Sequence, residues 1–225
     1  PGTGAKIQVD FSDTADASTG ALLPTGNAMD TLQVPGLGNI DASMVDIGNA
    51  HVFVRAADLG RTGRETAADI DADAELSATL ERIRAHAGVV MGMIDAPDTA
   101  ATTSPATPFV AMIAPPADYE NVLGARIVSA DESDFLSRLM FMQQMHKTYA
   151  GTSTACTGVA ARIPGTIVHE ACRAETRDGM LVRIGHPAGV IETEAQVDLV
   201  GNDYMVKRAT LGRTARRILE GRVYA

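Results

Sequence analysis

Most of the chain alternates hydrophobic and polar positions with a period of two, the pattern of strands that bury one face. These runs predict strands at 6–11, 31–34, 40–47, 109–113, 180–184, 190–197 and 204–211. The pattern changes to a helical period at 73–87, where Leu76, Leu80 and Ile83 fall on one face. Because strands outnumber helices, the sequence predicts an α+β fold built mainly on an antiparallel sheet.

A second helix is predicted from Gly151 to Pro164. Its residues are small and carry no charge before Arg162, so neighbouring chain can approach the helix axis closely. Hydroxyl side chains at 152–154 are typical of an N-terminal cap, and Pro164 ends the helix. The preceding residues 135–142 fit a helix or a strand, and a strand is favoured because it leads straight into Gly151. We therefore expect the sheet to wrap around this central helix.

The start of this helix is a candidate anion site. The first backbone N–H groups of a helix have no intrahelical acceptor and carry the positive end of the helix dipole. These N-terminal N–H groups therefore form a ready site for an anion such as a carboxylate. An ordinary buried helix with a Ser/Thr cap has the same local sequence, and the segment alone leaves both interpretations open.

Four side chains outside the helix are further candidates for ligand binding. Asn49 follows Gly48 where an apolar strand is interrupted, which indicates a bulge or a close backbone approach, although a turn asparagine also fits. Asn27 ends a turn and can donate and accept hydrogen bonds. Arg138 lies in an apolar run, where a guanidinium needs a carboxylate from the protein or from a ligand. His146 precedes the helix and is a site residue or a packing histidine.

Composition narrows the function classes. The chain has 225 residues, 45% of them hydrophobic but only 4% aromatic, so aliphatic side chains, alanine and methionine must fill the core. A net charge of −9, without a Lys/Arg cluster interleaved with aromatics, argues against a nucleic-acid surface. An anionic ligand would therefore have to be held by local donors and not by the overall field.

Cysteine usage and hydropathy indicate the cellular setting. Cys156 and Cys172 lack the spacing of a metal site or a disulfide framework, which suits a reducing cytoplasm. No apolar run approaches the roughly 20 residues of a membrane span, so no membrane partner is expected. The chain opens at Pro1–Gly4 without an initiator methionine and runs straight into a strand. We therefore expect a cytoplasmic protein without a metal site that is part of something longer.

Five segments in consistent order resemble the PrpF family, whose members are cofactor-independent methylaconitate isomerases and 4-oxalomesaconate tautomerases. The segments are Leu22–Asn27, Asp46–Val54, Gly151–Ala161, Val182–Gly189 and Arg213–Gly221. Together they span nearly the whole chain, and five ordered motifs are more specific than any single one. The resemblance implies a diaminopimelate-epimerase-like fold.

That fold has two pseudo-symmetric halves, each an antiparallel sheet around a central helix, with the substrate between the two helix N-termini. By this resemblance the chain is the C-terminal half: residues 1–20 end the preceding half or a connection, and residues 21–225 form the domain. The resemblance implies that the N–H groups around Ala150, Gly151, Thr152 and Ser153 hold a substrate carboxylate, with Asn49 near it. The implied reaction moves a proton along an allylic system of an unsaturated di- or tricarboxylate, without a cofactor.

The resemblance also places the catalytic residues elsewhere. Related epimerases carry a cysteine at each helix terminus, but here Ala150 occupies that position and Cys156 falls inside the helix as packing. The expected catalytic Lys and Cys belong to the N-terminal half, which is the expected partner; a homo-oligomer is a further expectation. Cys156 in another register, or His146, is the alternative catalytic group. A 4-oxalomesaconate-type tautomerase and a binding domain without turnover are the alternative functions.

Overall fold

The computed structural model describes residues 4–122, 124 and 126–222. Its strands are β1 (Ile7–Asp10), β2 (Asp30–Val34), β3 (Gly38–Ile47), β4 (Asn49–Arg55), β5 (Phe109–Ala114), β6 (Tyr119–Glu120), β7 (Ile127–Val128), β8 (Phe135–Phe141), β9 (Gln144–Met145), β10 (Leu181–His186), β11 (Gly189–Val200) and β12 (Asp203–Arg213). Its α-helices are α1 (Ala67–Ala72), α2 (Ala74–Val90), α3 (Ala100–Thr103), α4 (Gly151–Ala160) and α5 (Ile167–Ala171).

Ten of these strands form one sheet. Its order is β1-β12-β11-β10-β8-β5-β4-β3-β2, with β9 paired to the end of β8, while β6 and β7 form a separate hairpin. Only the pairs β4–β5 and β8–β10 are parallel among the described strands. The predicted α+β class with a mainly antiparallel sheet is therefore confirmed.

The sheet curls around α4. This helix contacts β3 and β4 on one side and β10, β11 and β12 on the other. The chain after β1 joins these two regions, because the N–H of Phe11 donates to Ala209 O at 2.9 Å and the N–H of Gly48 donates to Thr14 O at 3.2 Å. The prediction of a sheet wrapped around a central helix is confirmed.

Alternation along the central strands divides the core in two. On β4, Val52 and Val54 pack on the face covered by α1 and α2, whereas Phe53 packs on the α4 face. Because both faces are covered, β5 is buried along its whole length, Phe109–Ala114. Among the described residues no helix is long and apolar enough to cross a membrane.

Small side chains let the sheet approach α4. Ala155 and Ala160 are fully buried, and a Cβ placed on Gly158 would lie 2.6 Å from Cγ2 of Thr193 on β11. Thr193 is itself held in place, because its hydroxyl donates to Thr210 O at 2.7 Å. The small-residue composition that singled out this helix in the sequence therefore has a direct packing reason.

Several element predictions need correction. The interruption at Gly48 is not a bulge: Gly48 has a φ of +68° and forms the turn between β3 and β4, with Ile47 paired to Asn49. Strand β10 continues through Gly185 to His186, beyond the predicted break. Two helices were expected, but α1, α3 and α5 add three short ones, whose length is too small for a periodic signal. The strand favoured at 135–142 is confirmed as β8.

The first residues belong to the same sheet. Strand β1 pairs with β12, from Ile7 opposite Arg213 to Asp10 opposite Thr210. The assignment of residues 1–20 to a preceding half or connection stays a prediction, as does the domain at 21–225. The predicted opening segment falls in part on residues 1–3, which lie outside the described residues.

Replacing Gly158 by alanine tests the close approach to α4. In an ordinary helix this change would stabilise the fold by about 1 kcal/mol. Here the new methyl group meets Thr193, so we expect a loss of about 1–3 kcal/mol in the free energy of unfolding, measured with urea. The double variant Gly158→Ala/Thr193→Ser removes the clashing methyl and should recover most of the loss. A stabilising Gly158→Ala would contradict the packing described here.

Candidate active site

The N-terminus of α4 presents unpaired backbone donors. The first helical hydrogen bond runs from Thr154 N–H to Ala150 O at 2.8 Å, and no side chain caps the helix. Within the described part of the chain, the N–H groups of Gly151, Thr152 and Ser153 have no acceptor. The helix start therefore offers three donors and the positive end of its dipole to an anion.

Asn49 lies directly at this helix start. Its side-chain amide donates to Thr152 Oγ1 at 2.8 Å. The turn at Gly48 packs on the same threonine, since a Cβ on Gly48 would lie 3.2 Å from Thr152 Cβ. The close backbone approach expected around Gly48 and Asn49 is therefore present, and the structure brings Asn49 together with Thr152.

His51 joins β4 to α4, and no sequence pattern marked it as a candidate site residue. Its Nδ1 lies 2.7 Å from Asn49 O and its Nε2 lies 2.7 Å from Ser153 Oγ. Since a carbonyl only accepts, Nδ1 carries the proton and Nε2 accepts from the Ser153 hydroxyl. Burial lowers the pKa of His51 to about 4, so the imidazole is neutral. His51 follows Asn49 by two residues, so a strand places both side chains on the same face. This spacing is the sequence signal that could have identified His51.

Arg213 is the second residue that no sequence pattern singled out. Its Nη2 lies 2.7 Å from the position that a Cβ on Gly151 would occupy, so a larger residue at 151 would displace the guanidinium. Arg213 is exposed, and its guanidinium has no protein acceptor among the described residues. A cation beside the positive end of a helix is unfavourable unless an anion lies between them. The segment 208–222 is rich in arginine, and composition alone did not distinguish this one.

Strand ends surround the α4 N-terminus and form a mouth. The turn after β3 reaches it through Asn49 and Thr152, and the end of β12 reaches it through Arg213 beside Gly151. The end of β10 lies nearby, where the His186 ring is 6.2 Å from that of Tyr149. A separate hollow of about 300 Å³ is lined by Phe141, Gln144, Met145, His146, Lys147 and Thr148, in the chain that leads from β8 toward α4. His146 therefore lines this hollow, with its Nδ1 accepting from Thr148 N–H at 3.2 Å.

Arg138 does not join this group. Its side chain alternates onto the other face of β8, where Nε donates to Glu65 O at 2.8 Å and the guanidinium lies 4.9 Å from the centre of the Tyr119 ring. The expected carboxylate partner is absent among the described residues, since the guanidinium donates to backbone carbonyls. Burial lowers the pKa of Arg138 to about 10.

Two further candidates are also occupied elsewhere. The Asn27 amide donates to Asp30 Oδ1 at 2.7 Å within its own turn. Cys156 is fully buried, and its thiol contacts Val45 O at 3.5 Å. Burial raises the pKa of Cys156 well above its ordinary value, which is the opposite of an activated thiol. The packing interpretation of Cys156 therefore fits its surroundings.

Comparison with known proteins identifies the family. A family model described as PrpF protein matches residues 1–225, and the chain belongs to this family. The crystal structure of methylitaconate-delta-isomerase superposes with a TM-score of 0.91 at 50% identity, covering 98% of this chain and 56% of that one. The fold and the family inferred from the five sequence segments are therefore confirmed.

The similar sequences carry isomerase names. The 3-methylitaconate isomerase of Eubacterium barkeri is 51% identical, over 100% of this chain and 57% of that protein. The 2-methyl-aconitate isomerase of Shewanella oneidensis is 38% identical, over 96% and 54%. The (4E)-oxalomesaconate Delta-isomerase of a Novosphingobium species is 34% identical, over 100% and 55%. The chain thus spans a little over half the length of these relatives.

The burial of His51 predicts a pH-dependent stability. Its pKa falls from 6.5 to about 4 on folding, so the unfolded chain takes up the proton first. The contribution is full above pH 6.5 and is lost as the pH falls toward 4, by about 3 kcal/mol. Urea unfolding between pH 7.5 and 4.5 should show a shallower pH slope for His51→Gln than for the unchanged chain.

A matched control for this prediction is His86→Gln on α2. His86 lies outside the site and bonds Arg82 O of its own helix at 2.8 Å. Its replacement removes a histidine without touching the contacts to Asn49 and Ser153, so a change of slope beyond that of His86→Gln is assigned to the buried His51 ring. Equal slopes for the His51→Gln variant and the unchanged chain would show that His51 is not buried as a neutral group.

Proposed function

We propose that the chain is the substrate-binding half of a cofactor-independent isomerase acting on an unsaturated di- or tricarboxylate. One substrate carboxylate binds between the N–H groups of Gly151, Thr152 and Ser153 and the guanidinium of Arg213. The observation that carries this proposal is the unpaired Arg213 beside unpaired helix donors, since an anion removes the repulsion between them. Isomerase names among the relatives give independent support.

The same donors suit the chemistry of an allylic proton shift. Removing a proton next to the carboxylate, or one double bond away, moves negative charge onto the carboxylate oxygens. Fixed N–H groups and a guanidinium at those oxygens stabilise the charge as it develops, without reorganisation. The proton then returns at the other end of the allylic system, and the double bond shifts. Asn49 contributes by holding Thr152, and so the first turn of α4, in place.

The described residues around this site offer no evident proton-transfer group. His51 is neutral with both ring nitrogens hydrogen-bonded, and Cys156 is enclosed in the core. We therefore place the residues that remove and return the proton outside this chain, in the part of the relatives that it does not match. His146 lines the hollow in the chain that leads toward α4 and is the alternative proton-transfer group within the chain.

For the substrate we favour a methyl-substituted unsaturated acid. The relatives at 51% and 38% identity are named for 3-methylitaconate and 2-methyl-aconitate, so a methylitaconate- or methylaconitate-type isomerisation is the first choice. A 4-oxalomesaconate-type tautomerisation is the second choice, which the relative at 34% identity favours. Both substrates would use the carboxylate site at α4. The substituent that distinguishes them would contact other residues.

Replacing Arg213 tests the carboxylate site. Arg213→Gln removes the charge but keeps a polar side chain, and we expect about a tenfold loss of affinity for 3-methylitaconate by calorimetric titration, the size of one hydrogen bond between charged groups. Arg216→Gln is the matched control, because it removes the same charge from an exposed neighbour and should leave affinity unchanged. Equal losses in both variants would reduce the effect to net charge.

Proton NMR in D2O tests whether the chain is a complete catalyst. Mixed with methylaconitate or 4-oxalomesaconate, the chain alone should broaden the ligand signals without deuterium uptake or isomer formation. Asn49→Ala should abolish the broadening, because it frees Thr152 and the first turn of α4. Deuterium uptake by the chain alone would mean that it holds its own proton-transfer group, and His146→Gln would then be the variant to measure.

A further inference from the structure

His186 is a polar residue at the mouth that the proposed function leaves unused. It is the last residue of β10 and alternates onto the same face as Val182 and Ile184, which pack toward α4. Its ring centroid lies 6.2 Å from that of Tyr149, the residue just before Ala150. The His186 side chain therefore lies beside the residues that precede α4.

The hydrogen bonds of His186 fix which nitrogen carries the proton. Nδ1 accepts from the N–H of Ala188 at 3.2 Å, so the neutral ring carries its proton on Nε2. The residue is only 7% exposed, yet Nε2 has no acceptor among the described residues and is not one of their fully buried unpaired atoms. Nε2–H is therefore the part of this buried ring that reaches solvent at the mouth.

The surroundings keep this imidazole neutral and correctly oriented. Burial, followed by the electrostatic influence of Arg138 and His146, lowers the pKa of His186 to about 4. The Tyr149 ring against which it rests is itself held, because its hydroxyl bonds both Ser137 Oγ at 2.7 Å and Thr157 Oγ1 at 2.9 Å. A fixed neutral N–H donor near the Arg138 guanidinium suits an anionic oxygen of a ligand.

We propose that His186, through Nε2–H, binds a second carboxylate of the ligand whose first carboxylate lies between α4 and Arg213. This inference rests on the proposed function and adds a specificity residue to it. Strand β11 lies between β10 and β12, so β10 and β12 are about 10 Å apart across the sheet. His186 lies beside Tyr149 and Arg213 beside Gly151, so both side chains reach the region of the α4 start. The site would then select dicarboxylates over monocarboxylates.

A pair of ligands that differ by one carboxylate tests this selection. Itaconate carries two carboxylates, and methacrylate lacks the carboxymethyl group but keeps the unsaturated acid. For His186→Leu we expect about a tenfold loss of itaconate affinity, the size of one hydrogen bond to a charged group, with methacrylate affinity unchanged. His186→Gln keeps a donor and should retain most of the preference, which separates lost donation from lost folding.

Two outcomes distinguish a failure of the His186 role from a failure of the carboxylate site at α4. Arg213→Gln should weaken both ligands, because both place a carboxylate at α4. If His186→Leu leaves the itaconate-to-methacrylate ratio unchanged while Arg213→Gln weakens both, the role of His186 is wrong and the α4 site stands. If the unchanged chain binds neither ligand, the proposed carboxylate site at α4 is wrong. The proposed role of His186 is then wrong as well.

A spectroscopic readout adds a measurement that a purely structural role would not move. Long-range proton–nitrogen NMR spectra report the position of the ring proton and its hydrogen bonding. We expect the Nε2-protonated form of His186 in the free chain and a shift of the Nε2 signal on adding itaconate, with no shift on adding methacrylate. Identical shifts with both ligands would overturn the assignment.

Discussion

The close approach of the sheet to α4 is the constraint on which the rest of the structure depends. A wider helix would push β11 outward at Gly158 and would displace the Arg213 guanidinium from Gly151. Because the side chains of α4 are small, strands near both ends of the sheet, β3 and β12, can contact the helix in the same structure. Their termini then meet at the helix start, where the unpaired N–H groups lie. The small side chains of α4 therefore determine both the packing of the core and the position of the donors at the helix start.

The mouth differs electrically from the chain as a whole. The chain carries a net charge of −9, which repels anions at long range. At the helix start, however, the donors are backbone amides and a single guanidinium, whose effect is local and geometric. Such a site holds an anion by hydrogen bonds once it arrives, and it favours ligands whose charges match the donor positions. Specificity then depends more on geometry than on attraction over distance.

Much of the fold could be predicted from the sequence, and less of the site. Period-two alternation gave the long strands, and the small uncharged helix gave the centre of the sheet. Asn49 was found because a Gly-Asn pair interrupts an apolar run. Arg138 was misplaced relative to the site because a buried arginine does not reveal which sheet face it lies on, and here backbone carbonyls take the place of the expected carboxylate.

His51 and Arg213 were missed for a different reason. Their importance comes from pairings across 102 residues, from His51 to Ser153, and from the packing of β12 on α4. No local pattern encodes such distances. The turn at Gly48 was mistaken for a bulge because both features use a glycine in an apolar run, and only the pairing of Ile47 with Asn49 distinguishes them.

The pairing of β1 with β12 has a consequence for the order of folding. Ile7 lies opposite Arg213, so the strand nearest the beginning of the chain finds its partner only among the last residues described. A contact between such distant segments carries a large loop-closure cost and forms slowly unless intervening structure is already in place. On a ribosome, β1 must wait until β12 has emerged, so the first strand of the sheet and Arg213 at the end of β12 reach their places together.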